Sequence, residues 1–148
     1  MSTELHTIVL KSRGHHDEGV AGSAILPGEA IRLAATGGKY NVEPLALAVH
    51  VLRGGFKIAK ECALLGKTTA DAYALDDVLF FYTPLSGDNV QVLVKTGAEL
   101  VIGSTLVVEG GGSGLFVKAG ALAAGQLEAL EDSGGALAAD TLIVCRVL

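Results

Sequence analysis

A chain of 148 residues holds about one domain, and this one is half apolar, only 18% charged and free of tryptophan. Its net charge of −5 comes with no cluster of Lys or Arg, which excludes the electrostatic footprint of a nucleic-acid binder. No apolar run reaches the roughly 18 residues of a membrane-spanning helix, and the opening MSTELHTIVLKSRGHHDE lacks the pattern of a secretion signal. A cytosolic product is therefore expected, with Cys62 and Cys145 as separate, reduced, buried thiols. So apolar a small chain either fills its core unusually well or reserves apolar surface for a partner or for self-association. The second reading is favoured.

In chain order, LHTIVLK (Leu5 to Lys11) is strand-like and the following SRGHHDEG is polar. That break sets residues 1–18 apart as an N-terminal arm ahead of a single β-rich domain over 19–148. In an extended arm Leu5, Thr7 and Val9 face one way and His6, Ile8 and Leu10 the other. AIRLAA (Ala30 to Ala35) is a strand. TTADAYAL (Thr68 to Leu75) is a candidate short helix, with a Thr cap and Asp71 in its first turn. DVLFFYT (Asp77 to Thr83), NVQVLVK (Asn89 to Lys95), STLVVE (Ser104 to Glu109) and GLFVK (Gly114 to Lys118) are further strands. Gly125 weakens a helix over Ala119 to Asp132, which reads instead as a loop leading into a short strand or helical turn. DTLIVCRVL closes the chain as a strand apolar on both faces, with Leu148 packed into the sheet. The class is mainly β: a small β-barrel or tulip-like domain of short strands and hairpins, with one or two short helices and the arm.

Two stretches share a layout. Ile25 to Val42 and Leu100 to Val117 each have an apolar start, a glycine (Gly28, Gly103), an alternating strand, a glycine pair and a second short strand ending in Val. The offset is 75 residues. Two related hairpin units, or a chance likeness of glycine-rich hairpins, explain it equally well.

The motifs that would carry chemistry fail on spacing. In EGGGSG, Leu115 or Val117 occupies the third glycine position of a dinucleotide fingerprint, and LFVKA is not a helix opening. The stretch reads as a hairpin loop, with Gly111 or Gly112 supplying a positive φ. Gly66-Lys67-Thr68 ends like a phosphate loop, but Glu61 stands where its first glycine belongs. His15, His16, Asp17 and Glu18 point alternately and converge poorly on a metal. His6 and His50 lie alone. No nucleophile elbow and no assignable carboxylate pair is present. No catalysis, cofactor or metal is expected, although a small β-barrel enzyme with an unrecognised site is a further reading.

With HTIVLKS, then GKTTADAYA, then GAELVIGSTLVVEGGGSG and the closing ADTLIVCRVL, the chain resembles the head decoration, or capsid cement, proteins of tailed bacteriophages. Asn41 to Phe56 lies outside that likeness. The resemblance implies a mainly β structural protein on the outer capsid surface, made in the host cytoplasm and often trimeric. It would clamp neighbouring subunits of the major capsid protein, without enzyme activity, cofactor, nucleic acid or membrane. It also implies a capsid-binding arm, here Leu5, His6, Thr7, Ile8, Val9 and Leu10, that adds to a strand of the capsid protein. A second family is also similar: the hairpin of biotinyl or lipoyl carrier domains matches VKTGAELVIGSTLVVEGG. The chain lacks the lysine turn of those domains, and Lys95 and Lys118 flank strands.

Overall fold

The computed structural model describes residues 7–34, 41–45, 56–120 and 125–148. They form β1 (Val9–Lys11), β2 (His15–Ala21), β3 (Ala30–Ala34), β4 (Asn41–Pro44), β5 (Lys57–Ala59), β6 (Val78–Thr83), β7 (Asn89–Val94), β8 (Thr105–Val108), β9 (Phe116–Lys118), β10 (Leu127–Ala129) and β11 (Thr141–Val147). The fold is mainly β, as the regular spacing of short strands and turns predicts. β2, β4, β3, β5 and β6 close into one five-stranded barrel. β7, β11, β10, β8 and β9 form a second, closed where Val94 of β7 meets Phe116 of β9. β1 lies against the first half of β7.

The two barrels are the same structure twice. β2 runs parallel to β4 as β7 runs parallel to β9, and every other pairing is antiparallel. Gly28 (φ 93°) donates to the Ala59 carbonyl at 2.8 Å, and Gly103 (φ 90°) donates to Ala129 at 2.9 Å. The return bonds also match, Ala59 to Glu29 at 3.0 Å and Ala129 to Ser104 at 2.8 Å. One residue on, Lys60 donates to Phe80 and Leu130 to Val144, both at 2.9 Å. The likeness between Ile25–Val42 and Leu100–Val117 is therefore part of a repeat of whole barrels.

A turn with a built-in acceptor recurs at strand entries. Asp88 accepts from the N–H of Leu85 at 2.9 Å, Ser104 from Val101 at 3.0 Å and Asp77 from Ala74 at 2.8 Å. In each the residue before the acceptor has positive φ: Gly87 at 92°, Gly103 at 90°, Asp76 at 68°. Asp88 and Ser104 are buried polar residues. They are tolerated because each satisfies a backbone donor that the turn would otherwise leave unpaired.

Alternation within the first barrel's strands makes two cores. Ile31, Ala59, Leu79 and Phe81 fill the barrel with Ile25, Val42 and Tyr73. Their sequence neighbours Ala30, Ile58 and Tyr82 face out and join Val90, Val92, Val94, Leu106, Phe116, Ile143 and Cys145 in a larger core shared with the second barrel. Strands buried on both faces need apolar residues at successive positions. Much of the apolar surplus is thus used inside the chain rather than on its surface. Leu64, Leu75 and Ile102 remain exposed.

Two sequence expectations are corrected, and a third is met. Thr68 to Leu75 is not helical; the described helix is a single 3-10 turn, Ala63–Leu65. Thr68 does meet Asp71, whose carboxylate takes both its N–H (2.8 Å) and its hydroxyl (2.7 Å). So short a segment cannot repay helix nucleation, and Tyr73 is held instead by backbone bonds to Ile25 and by its hydroxyl on the Lys60 carbonyl at 2.7 Å. The segment around Gly125 leads into a short strand, β10, as expected; a Cβ at Gly125 would lie 2.3 Å from the Thr105 Cβ, so only glycine lets β10 approach β8. The closing strand is buried on one face, not two: Ile143, Cys145 and Val147 are buried, while Arg146 and Leu148 are exposed. Burial pushes the Cys145 thiol up to about 12, as an inert core cysteine requires.

Candidate functional site

The N-terminal segment is the first candidate, and the structure seats it between the barrels. The N–H of Ile8 and the Thr7 hydroxyl donate to the two oxygens of Glu61, at 2.9 and 2.5 Å. From the second barrel, Gln91 donates its backbone N–H to the Ile8 carbonyl and its side-chain amide to the Thr7 carbonyl, each at 2.7 Å. The Ile8 side chain is fully buried in the shared core, and Val9 and Leu10 are half-buried. Leu5 and His6 lie outside the described residues. The boundary expected at residue 18 falls inside β2, which pairs with β6 from His15 to Val20. Polar side chains there disguise a strand whose backbone is fully engaged on one side.

Asp88 fastens the other end of this segment. Its carboxylate, 1% exposed, accepts from the N–H groups of Arg13 (2.8 Å) and Leu85 (2.9 Å) and from the Tyr82 hydroxyl. The same hydroxyl accepts from the N–H of Gly14 at 2.7 Å. Burial alone would raise the Asp88 pKa, but these donors together outweigh it and hold the carboxyl below its usual range.

Glu29 is the opposite case. Burial, with Asp140 contributing, pushes its carboxyl up to about 7 despite a hydrogen bond from the Leu26 N–H, and its Oε2 has no partner. A folded pKa above the unfolded one means that the folded chain holds the proton more tightly. Stability is then highest below the unfolded value and falls as pH rises from about 4.5 to about 7. The loss amounts to about 3 kcal/mol at most, from 1.36 kcal/mol per pKa unit. Glu29→Gln should therefore melt like the parent at pH 4.5 and above it at pH 8. Equal melting of the two proteins at pH 8 would contradict this.

The candidate hairpin glycines lie in the 109–115 loop between β8 and β9, which pair antiparallel. Gly112 has φ 82°, whereas Gly111 is not in the left-handed region. Gly112→Val should cost about 1–2 kcal/mol, read as a lower melting temperature, and Gly111→Val much less. Two further glycines join the barrels; the sequence marked Gly28 only as part of the repeat and Gly114 only as the start of a strand. Gly28 accepts from the Leu93 N–H at 2.9 Å, and Gly114 accepts from Ala30 at 2.8 Å. Both have positive φ, 93° and 72°, and a Cβ would lie 2.9 Å from the Leu93 nitrogen or 2.6 Å from the Ala30 oxygen.

The remaining motifs resolve into structural roles. Lys67 donates to the Ala72 carbonyl (2.9 Å), pairs with Asp77 (3.7 Å) and lies over the Tyr73 ring. Gly66 simply ends the 3-10 turn, with φ 66°. The His16 ring lies tilted against Tyr82 and shares a 3.1 Å contact with Lys60; burial first, then Lys60, lowers its pKa. Among the described residues no three metal-capable side chains gather. Lys95 is ion-paired with Glu109, and Lys118 ends β9, so neither stands at a hairpin tip. A concavity of about 870 Å³ runs between the barrels over Leu93, Leu142 and Val144, with Glu131, Asp132 and Asp140 among its lining residues.

The fold is thus a tandem of two closed five-stranded barrels tied together by an N-terminal strand and two glycine turns. A similar fold is found in the N base of the head fiber gp8.5 of bacteriophage phi29, whose crystal structure superposes with a TM-score of 0.58. That match covers 91% of this chain and 94% of the phage chain, at 11% identity. No protein-family model matches the sequence, and the comparison with curated proteins finds no match.

Proposed function

We propose that the chain is a structural virion protein of a bacteriophage head, seated on the outer capsid surface, where it binds the major capsid protein and clamps neighbouring subunits. The observation that carries this reading is the fold likeness, over 91% of the chain, to the N base of a phage head fiber. The resemblance of GKTTADAYA, GAELVIGSTLVVEGGGSG and ADTLIVCRVL to head decoration proteins points the same way. The chain acts as a homotrimer and works without catalysis or cofactor. The N-terminal segment from Leu5 to Leu10 contributes to capsid contact, except through the Ile8 side chain, which is committed to the core. Co-sedimentation tests the proposal. Capsids assembled from the major capsid protein of the same virus should carry the chain down in a fixed ratio and survive heating better with it than without. Chain left wholly in the supernatant would refute it.

A further inference from the structure

The barrel repeat assigns every residue of β7 a counterpart in β2, and the two strands differ in whether their outer edge is covered. Ala59 pairs with Phe81 as Ala129 pairs with Cys145. Phe81 faces Asp17, and Cys145 faces Val90. Asp17 therefore corresponds to Val90, His16 to Asn89 and Glu18 to Gln91. The correspondence holds at the far end too: Gly22 donates to Val42 of β4 at 2.8 Å as Lys95 donates to Phe116 of β9 at 2.9 Å.

On β7 the edge turned away from β11 is occupied. Lys11 and Val9 of β1 face Asn89 and Val90, and the Gln91 N–H donates to Ile8. On β2 the corresponding edge is open among the described residues. Ala21 bonds to Asp77 on the β6 side, so alternation turns the N–H and C=O of His16 and Glu18 the other way. The Glu18 N–H, equivalent to the Gln91 N–H that β1 satisfies, is taken only by the Asp17 side chain at 2.9 Å. His15, His16, Asp17 and Glu18 are all exposed.

We propose that this outer edge of β2, at His16 and Glu18, binds an added antiparallel strand bearing Lys or Arg and supplied by a partner protein. The geometry is that of β1 on β7, with backbone hydrogen bonds giving affinity. The charge comes from Asp17 and Glu18. These carboxylates repel a second acidic edge, so the β2 edges of two copies do not pair with each other, while a basic strand is attracted. β1 is committed to β7 in this chain, but its sequence, Val9 and Leu10 followed by Lys11 and Arg13, supplies a peptide of the required chemistry.

The test uses the full chain and a synthetic TIVLKSR peptide, the sequence of residues 7–13, with TIVLESE as its acidic counterpart. Amide exchange at His16 and Glu18 should slow on adding TIVLKSR at millimolar concentration, and TIVLESE should have no effect. Glu18→Pro removes no bond to β6, so it should melt like the parent while weakening peptide binding at least about tenfold. If that variant fails to fold, a double charge reversal, Asp17→Lys with Glu18→Lys, should switch the preference to the acidic peptide. Unchanged exchange at both amides, protection at Asn89 and Gln91 instead, full binding by Glu18→Pro or an unswitched preference would each overturn the proposal. It stands apart from the capsid reading, since the peptide assay involves no capsid.

Discussion

Ile8→Ala should lose about 3 kcal/mol of folding stability, within the roughly 2–5 kcal/mol measured for emptying a buried Ile or Leu site. For a chain this size that lowers the melting temperature by about 10 °C. Ile8 is fully buried in the core that the barrels share, and its backbone is held from both sides, by Glu61 and by Gln91. A cavity there weakens each barrel's hold on the other. An arm extended into solvent predicts the opposite, since truncating an exposed side chain costs less than about 0.5 kcal/mol. Urea unfolding separates the two: a midpoint shift below one tenth of the parent value would show that Ile8 is not part of the core.

Gly114→Ala should cost about 2–4 kcal/mol, although it adds a single methyl group. Forcing an L-residue to φ 72° costs about 1–2 kcal/mol. The new Cβ would also stand 2.6 Å from the backbone oxygen of Ala30, which no side-chain rotation can relieve. The hydrogen bond from Ala30 to Gly114 would have to open, and with it one of the two glycine seams between the barrels. Gly110→Ala is the control, because no atom lies within 4 Å of a Cβ there. Equal thermal melting of the two variants would contradict the close approach.

What could be read from the chain was local. The strands around Phe81, Val92 and Val107 announce themselves through β-branched and aromatic residues between turn signals. Gly28 and Gly103 stood out because a positive φ before a strand favours glycine, so the repeat showed at its turns. What stayed hidden depends on distant partners. β2 begins with HHDE, which reads as a loop because its first four side chains face solvent. The three-residue strands β5 and β10 are too short to show a period. Nothing local distinguishes Ile8 in its own core from Ile8 in a partner's, and the importance of Gly114 over Gly111 lies in Ala30, 84 positions away by number.

Cryo-electron microscopy of the assembled phage heads examines the proposed role directly. Heads that carry the chain should show density for two five-stranded barrels on the outer capsid surface, in threefold groups that bridge neighbouring capsid subunits and disappear when the chain is omitted. Heads identical with and without the chain, or density for it only inside the shell, would contradict the role proposed here.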